Sequence, residues 1–201
     1  MTNAVMKFAS RMAVLLVIGA GLAGCGVNDV PRQDEQVKAA WSQVQNEYQR
    51  RADLVPNLVA TVKGYAAHEK DTLTAVMEAR AKATQVNLPK DVLSNPKAFQ
   101  QYEQSQGQLT TALGKLMVVS ERYPDLKANQ NFLALQAQLE GTENRITVSR
   151  KDYIDAVQVY NTTLRTIPGR WIAGMLYPEA KPYETFTATA PNAQNAPKVA
   201  F

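Results

Sequence analysis

Apolar residues recur along this chain at steps of three and four over three long stretches. In the first, Val37, Trp41, Val44, Tyr48, Val55, Leu58, Val62 and Tyr65 hold the spacing, and Arg51 fills one slot. Phe99, Tyr102, Gln106, Leu109, Leu113, Leu116, Ser120 and Tyr123 make the second. The third is longest: Phe132, Leu135, Leu139, Thr142, Ile146, Ser149, Tyr153, Ala156, Tyr160, Thr163 and Ile167. A period near ~3.5 residues held this far puts an apolar stripe along one side of a helix and requires other helices to cover it. The pattern predicts an all-α fold, an antiparallel up-and-down four-helix bundle of long helices. No segment alternates with the period of a strand.

Turn chemistry sets the boundaries. Ser94 and Asn95 before Pro96 make a helix start, Pro124 after Tyr123 a stop, and Pro168 with Gly169 the end of the last long helix. The stretch "RRADLVPNLV" is harder, because Pro56 falls inside the first stripe and an interior proline costs a helix about 3 kcal/mol. Asp53 can cap a new helix, which puts Pro56 in a first turn where its missing N–H has no acceptor to lose. Arg50 and Arg51 would then end the preceding helix at the negative end of its dipole. An unbroken first stretch would also carry its stripe beyond shorter partners. The expectation is a break near Asp53 and helices over residues 34–51, 54–86, 96–123 and 126–166, with one continuous helix kinked at Pro56 as the alternative.

The ends of the chain read differently. Lys7 and Arg11 precede the 13-residue apolar run "MAVLLVIGAGLAG", which is followed by Cys25. The run is shorter than the roughly 20 residues a membrane-spanning helix needs, so a signal peptide is the better reading. "LAGC", Leu22 to Cys25, resembles the bacterial lipoprotein signal, in which the cysteine is acylated and the chain cleaved before it. Acyl chains such as palmitate on Cys25 would hold the protein on a membrane, since two chains anchor stably where one does not. The sequence thus divides into a signal peptide (1–24), a tether (25–33), a helical bundle (34–177) and a flexible tail (178–201). The expected location is the cell envelope, with the bundle outside the cytoplasm and facing the periplasm in a Gram-negative cell.

Charge narrows the partners. Removing Lys7 and Arg11 leaves 20 basic against 18 acidic residues, a balance of +2 without a basic run, which argues against nucleic acid. His68 is the only histidine, and its neighbour Glu69 points about 100° away if both are helical. With Cys25 taken by lipid, no cysteine nucleophile or thiolate metal site is left. Glu140 and Glu143 share a face near Arg145, but the Glu-x-x-His pairs of a di-metal bundle are missing. Catalytic residues, metal ligands and cofactors are therefore expected to be none.

Several segments together resemble the LemA family of bacterial membrane-associated proteins: "RRADLVPNLVATVKGYAAHE" at 50–69, "EARAKA" at 78–83, "ERYPDLKAN" at 121–129, "LEGTENRITVSRKDYIDAVQVYN" at 139–161 and "WIAGM" at 171–175. The resemblance implies a helical bundle behind an amino-terminal membrane segment, with no established molecular activity. This chain departs from the commoner pattern in its short leader ending in "LAGC" and in "LYPEAKPYETF", where relatives carry a glycine-phenylalanine element.

Polar residues in or beside the stripes are the candidate sites: Arg50, Arg51, Asp53, Glu69, Arg80, Asn129, Glu143, Arg145, Arg150 and Asn161. Long charged side chains there must pair across helices or reach water, so they are expected to fix helix register or to line a groove for a partner. Two functions follow. One is a lipid-anchored, non-enzymatic interaction or scaffold protein that docks envelope proteins or self-associates. The alternative is a bundle binding a lipid or small apolar ligand among Trp41, Tyr48, Tyr65, Phe132, Tyr153 and Tyr160.

Overall fold

The computed structural model describes residues 26–85 and 89–187. Cys25, the predicted signal peptide and residues 188–201 lie outside them. The described residues form helices and no strand: α1 (Asp29–Tyr65), α2 (Lys70–Gln85), a 3-10 turn (Val92–Ser94), α3 (Pro96–Ser120), the single turn α4 (Pro124–Lys127), α5 (Gln130–Arg165) and α6 (Gly169–Leu176). None is long and apolar enough to cross a membrane.

The chain divides into two compact units rather than the single bundle 34–177 expected. Among the described residues, one takes 26–39 together with 156–182; the other takes 40–155 and 183–187. In the larger unit, α1 to α5 share one core, in which Val55, Leu58 and Val62 meet Leu73 and Val76, Leu109 and Leu116, Leu126, Phe132 and Leu139. A second cluster is aromatic: the Trp41 ring lies 5.7 Å from Phe99, 5.3 Å from Tyr102, 5.4 Å from Tyr153 and 6.1 Å from Phe186. Side-chain partners show the helix directions. Glu47 pairs with Arg145, Arg51 with Glu143 and Tyr65 with Asn129, so α1 and α5 run in opposite senses. Trp41 meets Phe99 and Arg51 meets Gln106, so α1 and α3 run the same way.

Three expectations are corrected. First, α1 does not break at Asp53; it runs unbroken for 37 residues, about 55 Å at ~1.5 Å each, with Pro56 inside it. The acceptor that Pro56 leaves without a donor is the carbonyl of Ala52, four residues back, and Arg80 Nε of α2 donates to it at 2.8 Å. Asp53 caps nothing: it lies exposed and accepts from Gln49 Nε2 at 2.7 Å. The chain turns instead between Ala66 and Glu69, just past Gly64, and Glu69 starts the next helix by accepting from Leu73 N.

Second, residues 29–33 are helix and not tether. Pro31 falls in the first turn, where no intrahelical acceptor is wasted, and Val30 and Gln33 are buried. In the larger unit, α5 begins at Gln130 because Asn129 caps it, its Oδ1 accepting from Phe132 N at 3.0 Å. Third, the predicted tail is not uniform. Glu184 N donates to Leu93 O at 2.7 Å, Tyr153 OH donates to Glu184 O at 2.8 Å, and Phe186 is buried in the aromatic cluster. A single aromatic with a receiving pocket outweighs the polar composition around it.

In the smaller unit Val30, Val37, Val157, Tyr160 and Ala173 are buried. A Cβ at Gly169 would lie 2.3 Å from the Thr163 carbonyl oxygen, so only glycine lets α6 approach that close.

Candidate functional site

The larger unit is crossed by a polar network whose centre is Arg51. Its side chain is 1% exposed although it occupies a slot in the apolar stripe of α1. Nη1 donates to Thr110 Oγ1 at 2.7 Å and to Glu143 Oε1 at 3.0 Å; Nη2 donates to Gln106 Oε1 at 2.8 Å and Gln106 O at 3.2 Å. The Tyr48 ring covers the guanidinium, 5.0 Å from its carbon. Gln106 Nε2 in turn donates to Ala83 O at 3.1 Å, in the last turn of α2. One arginine thus links α1 to α3 and α5 directly, and to α2 through Gln106. A guanidinium that has left water must be matched by fixed acceptors, and its rigid fork accepts few alternative arrangements.

Two further pairs flank it. Arg145 Nε reaches Glu47 Oε2 at 3.0 Å, and its Nη2 donates to Thr142 Oγ1 at 2.9 Å. Arg150 Nη2 reaches Glu103 Oε1 at 3.2 Å while its guanidinium lies 4.2 Å from the centre of the Phe186 ring. Both acids are more deeply buried than their arginines, with Glu103 at 9% against 32%. Burial also acts on the neighbouring phenols. It pushes the Tyr48 and Tyr102 hydroxyls above their usual range, with Arg150 and Arg51 opposing the rise at Tyr48.

Between α3 and α5 the network opens to solvent as a groove of about 680 Å³. Arg51 and Gln106 form its floor; Glu103, Glu143, Arg150 and Lys151 stand around it, with Ile146 and Ile154 between them. Glu143 is the member of the central pair that faces outward, its side chain 37% exposed.

The other predicted residues scatter. Glu69 accepts from Tyr123 OH at 3.1 Å and pairs with Arg122 at 3.0 Å, which fastens the α1–α2 turn to the end of α3. Asn129 Nδ2 donates to Tyr65 OH at 2.8 Å in addition to capping α5. Arg80 serves the Ala52 carbonyl. Arg50 and Asp53 are exposed, and Asn161 belongs to the smaller unit. Glu140, weighed with Glu143 as a carboxylate pair, instead accepts from Gln136 Nε2 at 3.0 Å. Glu47 and Glu103 were missed by the sequence reading. The available signal was their place directly beside the stripe residues Tyr48 and Tyr102, facing arginines on the third stretch.

The aromatic residues that motivated an apolar-ligand site do not enclose one. Trp41, Tyr48 and Tyr153 pack on other rings, Phe132 is in the core, Tyr160 is buried in the smaller unit, and Tyr65 is 44% exposed.

A sequence model described as the LemA family matches residues 40–201, which include the whole network. The chain belongs to the LemA family. It is 23% identical over 139 residues to Protein LemA of Metamycoplasma hominis, covering 69% of this chain and 59% of that protein. Magnetosome protein MamQ 2 of Paramagnetospirillum magneticum is 24% identical over 165 residues, covering 73% of this chain and 60% of that one, and MamQ 1 of the same bacterium matches to the same extent. The chain therefore spans about three fifths of the length of these relatives. Within the matched residues Arg51, Glu143, Arg145 and Arg150, on α1 and α5, supply the network's arginines and one of its carboxylates.

Proposed function

We propose that this LemA-family chain is a non-enzymatic interaction module of the bacterial cell envelope, held on a membrane by acyl chains on Cys25. In this reading the larger unit is an antiparallel four-helix bundle of α1, α2, α3 and α5, supported by the opposed and parallel pairings above. The observation that carries the reading is the α3–α5 groove. Arg51 with Glu143 and Arg150 with Glu103 hold one another at fixed distances rather than standing around an empty centre, so the groove offers a preformed pattern of charges to a partner's polar surface. Such a surface suits a protein segment better than a small apolar molecule, which would have to displace these groups without replacing their hydrogen bonds.

The test is crosslinking in intact cells. A photoreactive residue at Thr147 or Lys151, in the groove, is expected to give reproducible adducts of defined mass, with another envelope protein or with a second copy. The same residue at exposed Ala60 on α1 is expected to give none. Equal labelling from both positions, or none from either, rejects the groove as the docking surface. Intact mass of the purified protein checks the anchor: cleavage before Cys25 with added acyl mass is expected, and a retained Met1 rejects it.

A further inference from the structure

In the smaller unit α6 has two unlike faces. Gly169 packs against Thr163, Ala173 is buried, and Ile172 Cδ1 lies within 3.5 Å of a Cβ built on Gly26. The other face is apolar and bare: Trp171 is 63% exposed, Met175 79% and Leu176 52%, and Ile167, in the turn before the helix, is 63% exposed. Single exposed apolar side chains are ordinary. Four of them within ten residues, with Trp171 and Met175 one helical step apart on α6, are more than scattered exposure and make a patch that water does not favour.

What covers this patch follows from what lies beside it. Tyr177, the residue after α6, donates from its OH to Val27 O at 3.2 Å. Cys25 is two residues before Val27 in the sequence, a reach of at most ~7 Å of extended chain. Acyl chains on Cys25 would therefore enter the bilayer close to the end of α6. Exposed Arg165, Arg170 and Lys181 flank the patch in sequence against Glu179, a basic excess suited to anionic headgroups. Tryptophan with aliphatic neighbours on one face and cations at the edge is the composition that settles at the headgroup boundary.

We propose that α6 is an interfacial docking surface, its Trp171–Met175–Leu176 face, with Ile167 just before the helix, resting in the headgroup region of the membrane that anchors the protein. The proposal rests on the anchoring reading above, which supplies the membrane but not the contact. Lipidation alone fixes only the residue that carries the chains; docking of α6 fixes the smaller unit at the surface.

Trp171 is its own probe, because the other tryptophan, Trp41, is 6% exposed in the aromatic cluster. The full acylated protein is reconstituted into vesicles of phosphatidylethanolamine and phosphatidylglycerol, with and without brominated-acyl phosphatidylcholine, and its acylation verified by intact mass. The expected result is a blue-shifted emission component quenched by the bromolipid and abolished by Trp171→Phe. Met175→Glu, which keeps the probe and alters an exposed position, is expected to lose most of that quenching while the melting temperature stays unchanged.

Acylated, vesicle-bound protein whose Trp171 emission remains water-like and unquenched overturns the docking and leaves the anchor intact. A shift without bromolipid quenching that grows with protein density in the membrane means that a second copy covers the patch, and also overturns it. An unmodified Cys25 defeats the anchoring reading. The docking then stands only if the same vesicles, added to the unacylated chain, shift and quench Trp171, and falls if they do not.

Discussion

Proline inside α1 is tolerated because Arg80, 28 positions from Ala52, supplies the missing donor to the Ala52 carbonyl. Ala52 is 2% exposed, so water does not replace Arg80 at its carbonyl. Replacing Arg80 with Met is expected to destabilise the protein by ~1–3 kcal/mol, the cost of an orphaned buried acceptor. In a Pro56→Ala background the restored N–H can bond Ala52 O, and the same Arg80 replacement is then expected to cost ~1 kcal/mol or less, the two sites being coupled through one acceptor. Urea unfolding of the four proteins measures this, and equal costs in both backgrounds refute the pairing. Arg51 behaves differently. Arg51→Ala strips Thr110 and Gln106 of their buried partner, and ~3 kcal/mol or more is the expected loss, since breaking a buried ionic network on one side leaves polar groups uncompensated.

The legibility of each element follows from how local its cause is. The stripes of α1, α3 and α5 were readable because covering an apolar face is a demand each helix makes by itself. The caps at Asn95 and Asn129 depend on donors three residues away, at Ala98 and Phe132. The continuity of α1 was not readable, since Arg80 lies beyond the next turn, and neither was the partner of Arg51, 92 residues distant at Glu143. Residues 183–187 failed for a related reason. Phe186 stands alone in a small, polar sequence, and only the pocket formed by Trp41, Phe99 and Tyr153 gives it a role. Phe186→Ala is expected to cost ~3–5 kcal/mol, as for other buried aromatic truncations, and to release Glu184 N from Leu93 O, seen as faster exchange of that amide. At Gly169 the constraint is space. Gly169→Ala is expected to cost ~1–3 kcal/mol of overpacking, with amides of 156–182 losing protection before those of the larger unit.

At the scale of the molecule, both units bury tyrosines whose hydroxyls resist ionisation, and this couples their stability to alkaline pH. Burial raises Tyr48, Tyr102 and Tyr153 in the larger unit, and it carries Tyr160 in the smaller one from 10.0 to about 12, helped by the nearby Asp34. The folded protein therefore keeps phenolic protons that the unfolded chain releases near the ordinary value of ~10. Above that pH the unfolded state binds fewer protons than the native one, so stability must fall as pH rises. The stabilisation is complete below about pH 10 and drains away as pH climbs through the raised folded-state values, near 12 for Tyr160. A tyrosinate absorbance titration, followed together with helical circular dichroism, is expected to show the buried phenols ionising in the same pH interval in which helicity is lost. Smooth ionisation of every tyrosine near the ordinary value, with helicity intact, would show that water reaches these hydroxyls and that the aromatic cluster is not closed.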